Sequence, residues 1–197
     1  SDKLLEFNKG LLSADTAEEI IRRIEAVRSN IEGNAEILSW LRGEQSVYDE
    51  KEKRRRNVTV IDFDKPKRNV FQVTDEWQYA NAREANRADI MFLINGIPVA
   101  IVETKSAKKT DGIEEALIQI REYHHETPEM LVAPQVFDIT HLIDFYYGAS
   151  WNLDRKNVFR WKSESKGSFE DKVKAFFNHG YFLQMLEKWI LFYVKDD

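Results

Sequence analysis

The chain has 197 residues, 43% hydrophobic and 12% aromatic, which suits one globular domain with a real core. It has no cysteine, which excludes structural disulfides and thiolate metal sites, and no long uncharged apolar run or signal peptide, so a soluble cytoplasmic protein is expected. The formal net charge of −5 argues against a stand-alone, high-affinity nucleic-acid binder.

Thr16-x-x-Glu19 reads as a capping box, and Ile20, Ile21, Ile24 and Val27 then recur at helical spacing, so a helix is predicted over 16–29. A second helix is predicted over 34–42, with Ile37, Leu38 and Leu41 inward and Gly43 as its stop. Residues 51–68 concentrate Lys51, Lys53, Arg54, Arg55, Arg56, Lys65, Lys67 and Arg68. That stretch is either a solvated turn or a phosphate-contacting edge. Val58–Phe63 is β-branched and predicts a strand, as does Val70–Val73, with an extension through Trp77 to Tyr79. Residues 80–88 read as a loop.

The most informative segment follows. Asp89 opens one apolar run, Asn95-Gly96 is a strong turn signal, and a second apolar run ends in Glu103-Thr104-Lys105. Both strands are apolar on both faces, as in the centre of a covered sheet. A strict two-residue turn with regular pairing would set Asp89 opposite Val102 and point the two carboxylates to opposite faces. Bringing them together requires an odd loop count or a bulge; a three-residue loop over 94–96 is the commonest solution, and Pro98, which lacks an N–H, also favours an irregular ladder near the turn. An amphipathic helix is predicted over 111–125, a central strand over Met130–Phe137 interrupted by Pro134, and a short strand over Val158–Trp161. From Phe169 onward, apolar residues at helical spacing exceed what a surface helix needs and predict a packing partner outside the chain.

Two adjacent carboxylates repel unless a cation lies between them or one takes up a proton. Mg²⁺ suits oxygen ligands and keeps several waters, so Asp89 and Glu103 with the Thr104 backbone carbonyl suffice. Lys105 would then orient a nucleophile or stabilise charge in a transition state. The bland rival is a pair of solvated strand ends. Gln119 and Tyr123, at i and i+4, share one face of the following helix; taken alone, they are a helix-edge pair. The histidines are scattered, and no Gly-rich phosphate loop is present, so ATP cannot bind by that device.

Asp89-x13-Glu103-x-Lys105 followed by Gln119-x3-Tyr123 resembles the PD-(D/E)XK nuclease signature with its added Q-x-x-x-Y motif. Arg87–Pro98 closely resembles the nuclease domain of the type I restriction enzyme R subunit, and the likeness extends to Leu41-Arg42-Gly43, Val60–Asp64, Phe145–Gly148 and Phe159–Lys162. The resemblance implies an α/β fold of the restriction-endonuclease type, a central mixed β-sheet flanked by helices. It implies a nuclease domain over 1–165 and a C-terminal helical segment, 166–197, leading to a missing motor. Asp89 and Glu103 would be metal ligands, Lys105 the catalytic lysine, and Gln119 and Tyr123 supporting residues near DNA. Arg54, Arg55 and Arg56 are candidate DNA contacts. The expected activity is Mg²⁺-dependent cleavage of double-stranded DNA, in a complex with methylation and specificity subunits and without a membrane. ATP would serve only the motor, so the chain looks like an N-terminal fragment. Ala88 and Thr104 stand where the family often has proline and leucine. Gln72–Glu76 replaces its usual Asn-Gln strand ending, which puts DNA contacts there in doubt. Two rivals are a catalytically silent DNA-holding or subunit-docking module of the same fold, and a related nuclease with a repair role.

Overall fold

The computed structural model describes residues 2–106, 111–141, 144–161 and 168–193. Lys162 and the expected domain boundary at 165/166 lie outside them. Three N-terminal helices, α1 (Asp2–Phe7), α2 (Ala14–Glu25) and α3 (Ile31–Leu41), precede a small hairpin of β1 (Ser46–Asp49) and β2 (Arg54–Asn57). The main sheet follows: β3 (Phe71–Ala80), β4 (Ala85–Ile94) and β5 (Ile97–Lys105), then α4 (Gly112–Glu126), β6 (Val136–His141), β7 (Asp144–Ala149) and β8 (Phe159–Arg160). Helices α5 (Phe169–Phe176) and α6 (His179–Lys188) complete the described chain. The strands lie in chain order, β3 to β8. Among the described strands, only β5 and β6 run parallel, with α4 between them in the chain.

The sheet separates two cores. On one face Met91, Leu93, Ile101, Phe137 and Ile139 pack against Ala116, Leu117, Ile120 and Tyr123 of α4. On the other, Ile94, Val99, Ala100 and Phe145 meet α2, α3, α5 and α6 through Ile20, Ile37, Leu41, Phe176, Phe182 and Leu186. Much of the apolar C-terminal segment therefore packs on this chain's own sheet, although Trp189, Leu191 and Tyr193 stay exposed. Among the described residues, no helix is long and apolar enough to cross a membrane.

Several predicted boundaries shift for identifiable reasons. Helix α2 starts earlier than its Thr16 signal, because the Ser13 side chain accepts from the Thr16 N–H. Helix α3 starts at Ile31, capped by Asn30, and ends as predicted at Gly43, whose φ of +68° closes the last turn. The segment 58–63 is not a strand. Val58, Val60 and Ile61 are buried, but asparagine side chains take the place of a ladder partner: Asn8 bonds both backbone groups of Thr59, Asn95 donates to Val60 O at 2.9 Å, and Asn69 brackets Asp62. Residues 85–88 belong to β4 rather than a loop, leaving only 81–84 as the connection. The expected strand over 130–137 begins only at Val136. Met130 and Leu131 lie in a 3₁₀ turn ahead of Pro134, which cannot donate to a central ladder.

A candidate active site at the ends of β4 and β5

The turn between β4 and β5 has two residues, Asn95 (φ +54°) and Gly96 (φ +85°), with Ile94 opposite Ile97. The expected three-residue loop is absent. Asn-Gly takes up two positive φ angles readily, and the primed turn matches the strand twist. A bulge corrects the phase instead. Leu93 faces Pro98 and Phe92 faces Ala100, so Val99 is extra. Val99 and Ala100 both enter the core under α5 and α6, and Ile101 enters the α4 core. Every later side chain is thereby moved to the other face, and Glu103 and Lys105 join Asp89.

The ladder between β4 and β5 ends at Ile90 opposite Val102, while β5 stays paired with β6 as far as Lys105 and His141. The Thr104 N–H, which a continued ladder would direct at β4 backbone, instead donates to Asp89 Oδ2 at 2.7 Å, and the Thr104 hydroxyl adds a second bond at 2.8 Å. A residue's N–H and C=O point to the same side of a strand, so the Thr104 carbonyl faces the Asp89 side as well.

Glu103 is fully buried, and its Oε2 has no hydrogen-bond partner. Its Oε1 lies 2.9 Å from the Tyr123 hydroxyl, and Lys105 Nζ stands 3.8 Å from Oε2. Burial, and then the Asp89 charge, push the Glu103 carboxyl up to about 7, against the opposing pull of Tyr123 and Lys105. Gln119 receives a hydrogen bond from Lys105 Nζ and gives one to the Tyr123 oxygen. Lys105, Gln119, Tyr123 and Glu103 thus form a closed ring. Tyr123 also lies 2.8 Å from Arg87 O, so one phenolic proton faces two acceptors. Burial and the Glu103 carboxyl push the phenol upward, which keeps that proton in place.

The five residues singled out around the turn and on the following helix therefore converge. Arg54, Arg55 and Arg56 do not join them. They lie in the separate β1–β2 hairpin, bonded to Glu52, to Ser46 and to Asp49 with Glu52, respectively. The chain leads from that hairpin to Val60, at the turn end of β4–β5, away from Asp89. Two further neighbours carried no signal in the residue pattern. The Thr104 side chain holds Asp89. His141 stands beside Lys105 in the parallel ladder, its ring so close to Gly112 that a Cβ there would lie 2.5 Å from it.

Among the described residues, no group of three or more His, Cys, Asp or Glu side chains could hold a metal. The donor set is two carboxylates and a backbone carbonyl, which fits a hydrated Mg²⁺ rather than a dehydrated, tightly caged ion. The unpartnered Glu103 Oε2, buried beside a second carboxylate, fits such a cation too.

Fold and site define an α/β domain with two carboxylates and a lysine at the level where β4 parts from β5. Residues 2–153 match the model of the type I restriction enzyme R protein N terminus, and the chain belongs to that family. It is 28% identical over 156 residues to the "Putative type I restriction enzyme MjaVIIP endonuclease subunit" of Methanocaldococcus jannaschii, covering 75% of this chain and 14% of that protein. It is 29% identical over 150 residues to the type I restriction enzyme EcoprrI endonuclease subunit of Escherichia coli, covering 71% of this chain and 47% of that one. The chain thus spans less than half the length of these relatives.

Proposed function

We propose that this chain is the DNA-cutting module of a type I restriction enzyme endonuclease subunit, with a site of the PD-(D/E)XK kind that hydrolyses phosphodiesters of double-stranded DNA with Mg²⁺. The observation that carries the reading is Glu103: fully buried, half unpartnered, and flanked by Asp89 and Lys105. A buried carboxylate with an unpartnered oxygen is costly, and beside the second carboxylate of Asp89 a cation ligand offsets that cost. Asp89, Glu103 and the Thr104 carbonyl would hold the ion. When bound, the ion acidifies water and offsets charge on the phosphate. Thr104 fixes the Asp89 carboxylate through Oδ2, so Oδ1 would serve as the ligand. Tyr123 fixes Glu103 Oε1 and leaves Oε2 for the ion. Gln119 steers the Lys105 ammonium, which orients the attacking water or donates to a phosphate oxygen. Recognition and methylation would fall to other subunits of the complex, and ATP-driven movement to the parts of the relatives that this chain does not span.

Asp89→Ala or Glu103→Ala in the intact enzyme should lower DNA cleavage by more than ~100-fold and leave ATP hydrolysis unchanged. Cleavage within tenfold of wild type in either variant would remove the assignment. A silent docking module would bind DNA equally with or without Mg²⁺ and ignore Lys105→Ala.

A further inference from the structure

Glu76 lies directly across β3–β4 from Asp89. The pairs Asp75–Ile90 and Trp77–Ala88 flank the two, yet Glu76 itself drops out of the ladder. Its φ is +50°, a conformation that residues with a Cβ rarely adopt, and no glycine is present to ease it. The ribbon changes course at this level. Beyond it, Asn81 Nδ2 donates to Glu126 O at 2.7 Å, Asn86 Nδ2 to Glu126 Oε2 at 2.9 Å, and Tyr123 to Arg87 O. Ala88, fully buried, enters the α4 core beside Met91. The distal half of the ribbon is therefore folded onto α4. At the same level β4 leaves β5, since Ile90–Val102 is their last pair. That departure leaves the Thr104 N–H for Asp89.

We propose that Glu76 is a positioning residue whose left-handed backbone bends the β3–β4 ribbon away from β5, so that Thr104 fixes the Asp89 carboxylate for cation binding. The proposal rests on the metal-site reading above and deepens it. The backbone conformation acts here rather than the carboxylate. The Glu76 side chain is 65% exposed and pairs only with Arg87 at 2.8 Å, a surface ion pair of little consequence. The bend also serves the other wall of the site, because it brings the Arg87 carbonyl to Tyr123.

The test compares Glu76→Gly and Glu76→Asn, which accept positive φ, with the β-branched Glu76→Val, which resists it, and with Glu76→Ala, which removes the carboxylate at an unchanged Cβ cost. Two readouts are taken on the chain: amide hydrogen exchange at Thr104 by NMR without metal, and Mn²⁺ affinity by calorimetry. The Gly and Asn variants should keep Thr104 protection near wild type. The Val variant should exchange about tenfold faster, because branching at Cβ adds to the left-handed penalty, and Ala, whose Cβ cost equals that of Glu, should stay near wild type, with Mn²⁺ affinity following the same order. The milder Glu76→Thr keeps the comparison if Val does not fold. Unchanged protection in Val and Thr would overturn the proposal. So would equal loss in Gly and Val, since the carboxylate would then be the actor. The amide readout needs no metal. A wild type that protects Thr104 in the expected series but binds no Mn²⁺ would instead sink the metal-site reading.

Discussion

Two buried carboxyls on opposite faces of the sheet show how environment assigns a role to a side chain. Glu103 meets Asp89, Lys105 and Tyr123. Asp138, paired in register with Val102, is fully buried with both oxygens unpartnered, and burial alone raises it well above the ordinary carboxylate range. A carboxyl raised in the folded state binds its proton more tightly there than when unfolded. Its contribution to stability therefore falls as pH rises above the unfolded value near 4, and for Glu103 the fall ends above about 7. In chelator, Glu103→Gln and Asp138→Asn should each raise the unfolding midpoint more at pH 8 than at pH 5. Mg²⁺ at pH 8 should stabilise the wild type and the Asp138 variant but not the Glu103 variant. Thermal melts in EDTA and in Mg²⁺ check this; an Mg²⁺ response retained in Glu103→Gln would contradict the proposed ligand role.

At the scale of the element, the central hairpin shows that phase matters more than loop length. Its extra residue, Val99, sits between Leu93–Pro98 and Phe92–Ala100. Deleting Val99 leaves a regular ladder in which Asp89 still faces Glu103. The expected loss is one buried valine, about 2 kcal/mol, with cation binding retained. Inserting one alanine after Val99 should abolish cation binding, since it reverses the face of every later residue or forces a second bulge. Calorimetry with circular dichroism as the folding control compares the two. Equal cation affinity in the insertion variant would show that the bulge does not set the geometry.

At the scale of the molecule, both faces of the sheet carry helices: α4, from mid-chain, on one, and α2, α3, α5 and α6, from the two ends of the described chain, on the other. Arg42 ties these ends together: its guanidinium caps the last turn of α6 at Leu186 O and the following Ile190 O. Arg54, Arg55 and Arg56, by contrast, bond within their own hairpin. With a net charge of −5, the chain should bind duplex DNA weakly, with a dissociation constant on the order of 10⁻⁴–10⁻⁶ M. Replacing Arg54, Arg55 and Arg56 by Gln should change the slope of log affinity against log salt by less than about one, because these side chains are paired locally and lie off the site. Fluorescence titrations at several salt concentrations measure it, and a slope flattened by two or more would make the hairpin a DNA edge.

Local chemistry is legible in the residues alone. Asn95-Gly96 has no better use than a tight turn, Gly43 no better than a helix stop, and the order Asp, apolar run, turn, apolar run, Glu-x-Lys marks the candidate site residues. Gln119 and Tyr123 were legible as one helix face, but not as a bridge from Lys105 to Glu103, since that requires α4 to be laid across β5. That the hairpin uses a bulge rather than a longer loop, and places it at Val99 beside Pro98, depends on the packed sheet, as do the bend at Glu76 and the grip of Thr104 on Asp89. Each arises where a ladder must break so that a buried face can be filled, and that competition between pairing and packing involves residues far apart in the chain. The same holds for 58–63, a β-branched run that never becomes a strand because asparagines at 8, 69 and 95 reach its backbone first.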